Sequence, residues 1–447
     1  MITRRLVIAV ACAGAVACGD NLQRSDDLFT PVSGARLALQ RYRYDDGTEL
    51  AVAGEFYDTL VHARCTPRAW IDGAVRCVPV GDDAEYTDPG CTALVGLGRT
   101  VATPTHFLVY AAPPAGGAVA RVFRAGAAAP PITQYYALDG GACVGPIPVA
   151  PTLTRVFALA DEVDGAALVA FHDHELGEAR LGLVVRDTDD GLRVWSAMRD
   201  RELDVACTPA VQPDASVACA PGAAAAASYY GDAACRDPVV AAAGSTVASL
   251  VEPSGCTTYH AVGAEVRPPV YRRDGGACAP VDVPADTRLS AVDRAIELPV
   301  LGRSLELAAG RRLQRIVLDL GGLRVLDDRL FDTAIGADCT PRSMRGSFRC
   351  IPANVTTTTS VFAAGCTTPI LVAEVASPAC ERPAYAIVAR PFQIRAIGEV
   401  VPDVVFRLDG DTCVPYSGSP GTELRALGPP IDPTMFVSGI YFGERAL

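Results

Sequence analysis

Sixteen cysteines, five histidines and a surplus of acidic side chains supply the groups in this sequence that could do chemistry. The most metal-like run is His172-Asp173-His174-Glu175. Histidines two apart on a strand share a face and can chelate a divalent metal. No partner motif at fixed spacing accompanies them, so His172 and His174 are weak metal candidates and a solvated strand end is the favoured reading. A second set recurs: Asp58, Asp200 and Asp332 each stand seven residues before a cysteine. They could line one rim of a ring and bind a cation or a sugar, or they could cap turns. Asp88 and Asp232 also match each other, three residues before a cysteine, but the third equivalent is Ala363. No G-x-S-x-G elbow, H-E-x-x-H helix, dinucleotide fingerprint or phosphate loop occurs, so no catalytic residue is assigned and no cofactor is expected. The chain has no lysine, which excludes Schiff-base chemistry and a phosphate-loop lysine.

The cysteines carry the stronger signal. Cys65-Thr66-Pro67 leads to Cys77-Val78-Pro79, Cys207-Thr208-Pro209 to Cys219-Ala220-Pro221, and Cys339-Thr340-Pro341 to Cys350-Ile351-Pro352, at spacings of 12, 12 and 11. Three such matches define an internal repeat. Each pair brackets turn-forming residues near its midpoint (Asp72-Gly73, Pro213-Asp214 and Arg345-Gly346), which predicts three disulfides, each closing its own hairpin. Each is worth about 3 kcal/mol by loop entropy. For the rest, the expected pairs are Cys91–Cys143, Cys235–Cys256 and Cys366–Cys380, with Cys278 and Cys413 free or joined across repeats.

A further motif ends each repeat: Tyr136 through Asp139-Gly140 to Cys143, Tyr271 through Asp274-Gly275 to Cys278, and Phe406 through Asp409-Gly410 to Cys413. Asp-Gly accepts the positive φ of a tight turn, so the motif predicts a structural hairpin. Short runs rich in β-branched and aromatic residues, punctuated by Gly and Pro, predict strands throughout. The Ala-rich run 223–227 reads as a loop. The expected fold is all-β, with about eight strands in each of three repeats. A six-bladed β-propeller with two sheets per repeat is the first choice, and three consecutive disulfide-stapled β domains the alternative. The repeats are placed at 34–177, 178–309 and 310–447.

Arg4 and Arg5 followed by the apolar run 6–17 read as an export signal, too short for an anchoring span. It ends Ala15-Val16-Ala17-Cys18-Gly19, a lipobox-like site at which Cys18 would be lipidated; a plain secretory signal cut nearby is the alternative. Residues 1–17 are then the signal and 18–33 a tether. Export places the cysteines in an oxidising compartment. A formal net charge of −12 argues against nucleic-acid partners. The lipobox-like start, the repeated D-x6-C-T-P with C-x-P, and the later Asp-Gly-x-x-Cys resemble the cysteine-repeat lipoproteins of unknown function that are common in myxobacteria. That resemblance implies export and a repeat architecture, and carries no catalytic residue. The functional expectation is a lipid-anchored cell-envelope protein with a non-catalytic binding or scaffold role, touching the membrane through its lipid and a protein or glycan through its loops. The alternative is an envelope hydrolase or lyase working through a central funnel, which a carboxylate cluster with raised pKa at the repeat axis would favour.

Overall fold

The computed structural model describes residues 28–443 except 99–102, 112–116, 140, 150–154, 213, 215, 243, 253–255, 275–276, 285–286, 345–346, 377–381, 390–391, 402–403, 411 and 419–421. The run expected as a signal, Cys18, the first part of the expected tether, Cys380 and the Arg345-Gly346 pair expected as a turn lie outside the described residues. Every long element is a strand, and the only helical pieces are three single 3-10 turns among the described residues.

Each repeat is built alike, in two parts. The first is a four-stranded antiparallel meander. In repeat one it comprises Leu37–Tyr44, Glu49–Asp58, Ala63–Ala69 and Val75–Pro79. The second is a five-stranded barrel of Asp82–Tyr86, Leu94–Gly98, His106–Tyr110, Val119–Ala128 and Arg155–Val163. Parallel pairing of the first barrel strand with the third closes it, Asp82 opposite Phe107. Closure leaves no free edge within the barrel. The same parallel closure recurs at Ala225 opposite Ala248 and at Val355 opposite Tyr385. The Asp-Gly hairpin stands on the first barrel strand each time, with Leu138 opposite Cys143, Arg273 opposite Cys278 and Leu408 opposite Cys413. Gly141 and Gly410 hold φ of +82° and +59° in these turns, the conformation for which glycine suits them.

The all-β expectation and the three repeats hold. The propeller gives way to its alternative, three disulfide-stapled β units. Each repeat has twelve strands among the described residues rather than eight, and its second half curls into a barrel instead of lying flat as a blade. The Ala-rich run is also not a loop throughout: Ala225–Tyr230 is a barrel strand, since its alternate alanines pack inward beside Ala248 and Val262.

The three units share one sheet. After each barrel the chain returns to its own meander, then crosses to the next. The amides of Cys77, Cys219 and Cys350 donate to the carbonyls of Val169, Pro299 and Val437 at 2.9, 3.0 and 3.0 Å. From there Ala170–Leu176 pairs with Leu181–Asp187 of the second meander, and Gly302–Leu307 with Leu313–Asp319 of the third. Ser438–Gly443 pairs with Leu37–Tyr44 of the first. Together these strands close a ring. At this last seam Tyr42, Phe348 and Tyr441 stack, and the Tyr441 hydroxyl donates to Glu55 at 2.7 Å.

Apolar side chains of neighbouring meanders meet inside the ring. Leu37, Phe56 and Phe171 pack with Leu192 and Val194; Leu183 and Met198 with Ile316, Leu318 and Val325; Leu313 and Leu330 with Tyr44 and Leu50. Each cluster includes one short disulfide, Cys65–Cys77, Cys207–Cys219 or Cys339–Cys350.

The long disulfides correct the expected pairing. Cys91–Cys143 is matched by Cys235–Cys278 and Cys366–Cys413, in place of Cys235–Cys256 and Cys366–Cys380. Cys278 and Cys413 are therefore neither free nor joined across repeats, and Cys256 is itself disulfide-bonded. The reason is geometric. Cys91, Cys235 and Cys366 sit at φ of +51°, +50° and +51° in a turn that aims each sulfur at the hairpin standing beside it. Asp88 caps that turn through the amides of Gly90, Thr92 and Ala93, and Asp232 through those of Arg236 and Asp237. Those backbone bonds hold the Asp232 carboxyl down at about 2.

Residues 28–32, expected as tether, belong to the fold. Leu28–Phe29 pairs in parallel with 324–325 of the third meander, and Val32 bridges Arg193 of the second. Phe29 is buried in the ring core.

Candidate functional site: an axial cavity with one charged bulge

Antiparallel pairing of the first two strands of each meander slips at one place. Leu39 faces Phe56 but Arg41 faces Ala51, so Val52 to Glu55 bulge. Val184 faces Ala197 but Val185 faces Trp195, which leaves Ser196 extra. Arg315 faces Leu330 but Val317 faces Leu326, so Asp327, Asp328 and Arg329 bulge. Bulges re-aim side chains. All three aim at the centre of the ring, where Ala53, Gly54, Val194, Trp195, Asp327 and Asp328 wall both of two adjoining chambers. The inner chamber is about 120 Å³ and the outer about 590 Å³. Leu28, Thr30 and Pro31 line the inner one, so the N-terminal strap forms part of its wall.

The bulges occupy equivalent positions and differ in chemistry. Counting back five, four and three from the shared aspartate gives Ala53-Gly54-Glu55, Trp195-Ser196-Ala197 and Asp327-Asp328-Arg329. One repeat contributes a left-handed glycine (Gly54, φ +73°) beside Glu55, one an aromatic wall, and one the Asp-Asp-Arg cluster. Inspection for what the repeats share could not find this site, because it lies where they differ.

Asp327 is 5 % exposed. Arg329 grips it, donating from Nη2 at 2.6 Å and from Nε and its own backbone amide at 3.1 Å each. Burial opposes ionisation of Asp327, but these bonds hold its carboxyl below the ordinary value. Behind it, Arg329 Nη1 lies 3.7 Å from Asp338, which is ion-paired with Arg303. Asp328 lines the cavity and is itself exposed, although neighbouring protein partly desolvates its carboxyl. That desolvation, the hydrogen bond to Asp327 and the negative charge of Asp327 push its carboxyl up to about 6. Below about pH 6 an ionised and a proton-holding carboxylate thus stand side by side, and above it both are ionised. Such an arrangement can bind a cationic or hydroxylated group or move a proton.

The other sequence candidates lie elsewhere. Asp58, Asp200 and Asp332 are buried and form bidentate pairs with Arg36, Arg180 and Arg312. Asp58 also accepts from the amides of Leu60 and Val61, Asp200 from Glu202 and Asp332 from Ala334. They lock the turn before each short disulfide and line no rim, because no open surface reaches them. His172 and His174 are exposed on one face of Ala170–Leu176, beside Asp189 and Asp187 at 3.7 and 3.4 Å. No group of three or more His, Cys, Asp or Glu side chains converges as a metal site among the described residues.

Residues 7–436 match the DUF7481 family, a family of unknown function. The chain belongs to it. No curated protein and no solved structure matches the chain. For this DUF7481 chain, the axial cavity is the feature from which a role is argued.

Proposed function

We propose that this DUF7481 chain is an exported, lipid-anchored cell-envelope protein that binds a ligand in its axial cavity without turning it over. The observation that carries the reading is the asymmetry of the three bulges. Each repeat sets a different surface at the centre of one threefold scaffold, and the bulge of the third alone adds a cavity-facing Asp328 with no ion-pair partner among the described residues. The disulfides support an oxidising, extracytoplasmic location. The lipobox-like Cys18 and the likeness to myxobacterial cysteine-repeat lipoproteins support the anchor. An acidic chain of this charge has no electrostatic affinity for nucleic acid.

Two experiments test this. Cys18→Ser should move the protein from the membrane fraction to the soluble envelope fraction; retention on the membrane argues against the anchor. Thermal-shift screening of the mature chain with amino acids, short peptides and glycans should find a stabilising ligand whose effect Ser196→Trp, which narrows the outer chamber beside Trp195, removes. Stabilisation unaffected by that change rejects the cavity as the site.

A second reading is favoured by Asp328. A carboxyl at about 6 beside an ionised partner suits general acid chemistry, as an envelope hydrolase or lyase would need. It calls for turnover of a glycan or peptide that Asp328→Asn abolishes while binding persists.

A further inference from the structure

We propose that the inner chamber takes a small zwitterion, an ammonium and a carboxylate on one short skeleton as in a free α-amino acid, with Asp328 receiving the ammonium and Arg315 the carboxylate. The inference rests on the reading of the axial cavity as a ligand site and names the ligand class.

Most charges around the cavity already have partners, Arg41 of the inner chamber among them. Glu49 accepts from Arg43 at 2.8 Å, Asp327 is held by Arg329, and Arg186 makes a bidentate pair with Asp173. Asp328 and Arg315 line the inner chamber, and neither joins an ion pair among the described residues. Arg315 stands on Leu313–Asp319, the strand paired with the one that carries Asp328, and supplies a positive charge to the same chamber. A ligand with one charge meets only one of the two poles and leaves the other to water. A zwitterion satisfies both. At about 120 Å³ the inner chamber suits the polar end of a small molecule. Leu39, Leu50, Leu326 and Leu330 supply its apolar walls, and the half-buried Trp195 continues into the outer chamber. An apolar side chain extending outward along Trp195 then keeps contact with protein.

Isothermal titration of the mature chain with L-leucine, leucinamide and N-acetyl-leucine tests the assignment. L-leucine should bind, and each analogue should bind about tenfold or more weakly, the worth of one lost charge-assisted hydrogen bond. Asp328→Asn should erase the difference between leucine and N-acetyl-leucine, and Arg315→Gln that between leucine and leucinamide. The analogues report on the unaltered protein, so the comparison stands if a variant folds poorly. Equal binding of leucine and either analogue overturns the zwitterion. Maltose binding that Ser196→Trp removes, with leucine inert, also overturns it while leaving the axial site intact. No binding by leucine, its analogues or maltose overturns it as well, and a blank thermal-shift screen beside that result takes the axial reading with it.

Discussion

At the scale of single residues, the fold depends on buried charges that repeat and the site on charges that do not. Asp332 has 0 % of its surface exposed and shares both oxygens with Arg312. Asp332→Ala removes both bonds to that guanidinium and the one to the Ala334 amide, and should cost about 3 kcal/mol in urea unfolding. Asp328→Asn should do the reverse. The folded chain holds that proton up to about pH 6 whereas an unfolded aspartate releases it near pH 4, so Asp328 weakens the fold as pH rises between those values. The variant should therefore melt higher than the parent at pH 7.5, by about 2 °C, and equally at pH 4. His106 acts in the other direction. It is 3 % exposed, its Nδ1 meets Thr105 and its Nε2 has no partner, and burial and then Arg124 press its pKa down to about 4. An unfolded histidine gains its proton near pH 6.5, so the contribution is intact above that value and lost as pH falls to 4, by about 3 kcal/mol. Urea unfolding of His106→Gln at pH 7 and pH 4.5 should show a smaller acid loss than the parent.

At the scale of elements, what could be read from the sequence was what is local and repeated. Asp-Gly before an evenly spaced cysteine announces a hairpin, and C-T-P with C-x-P announces a short disulfide, because both ends of each contact lie within one turn of chain. The long disulfides depend on which strand the hairpin stands against, so Cys235 and Cys278, 43 residues apart, gave no such signal. The barrels were hidden for the same reason, since a parallel closure pairs strands that are not neighbours in sequence. The site was hidden by its own logic: Asp327-Asp328-Arg329 interrupts the pattern that Asp58, Asp200 and Asp332 share. The third repeat also lacks the capping aspartate at Ala363, so its turn depends most on its bond. Cys366→Ser with Cys413→Ser removes a 47-residue closure worth about 4 kcal/mol. Limited proteolysis should cut near that hairpin sooner than near the first repeat's after Cys91→Ser with Cys143→Ser, where Asp88 still caps the turn.

At the scale of the whole molecule, the claim is that three barrels, each with apolar clusters of its own, hang on one closed sheet whose cores straddle the repeat boundaries, so that no meander carries a complete core of its own. The cavity exists only because the ring closes, since its walls come from all three meanders. The two tryptophans report on this directly. Trp70 packs between the first meander and the first barrel, and Trp195 stands at the axis in the second repeat. Unfolding in guanidinium, followed by fluorescence of Trp70→Phe and of Trp195→Phe, reads each place separately. One ring predicts transitions that coincide in midpoint and slope once each variant's own stability change is measured by circular dichroism. Two separated transitions, with Trp70 and Trp195 released at different denaturant concentrations, would instead describe beads on a string and contradict the shared ring.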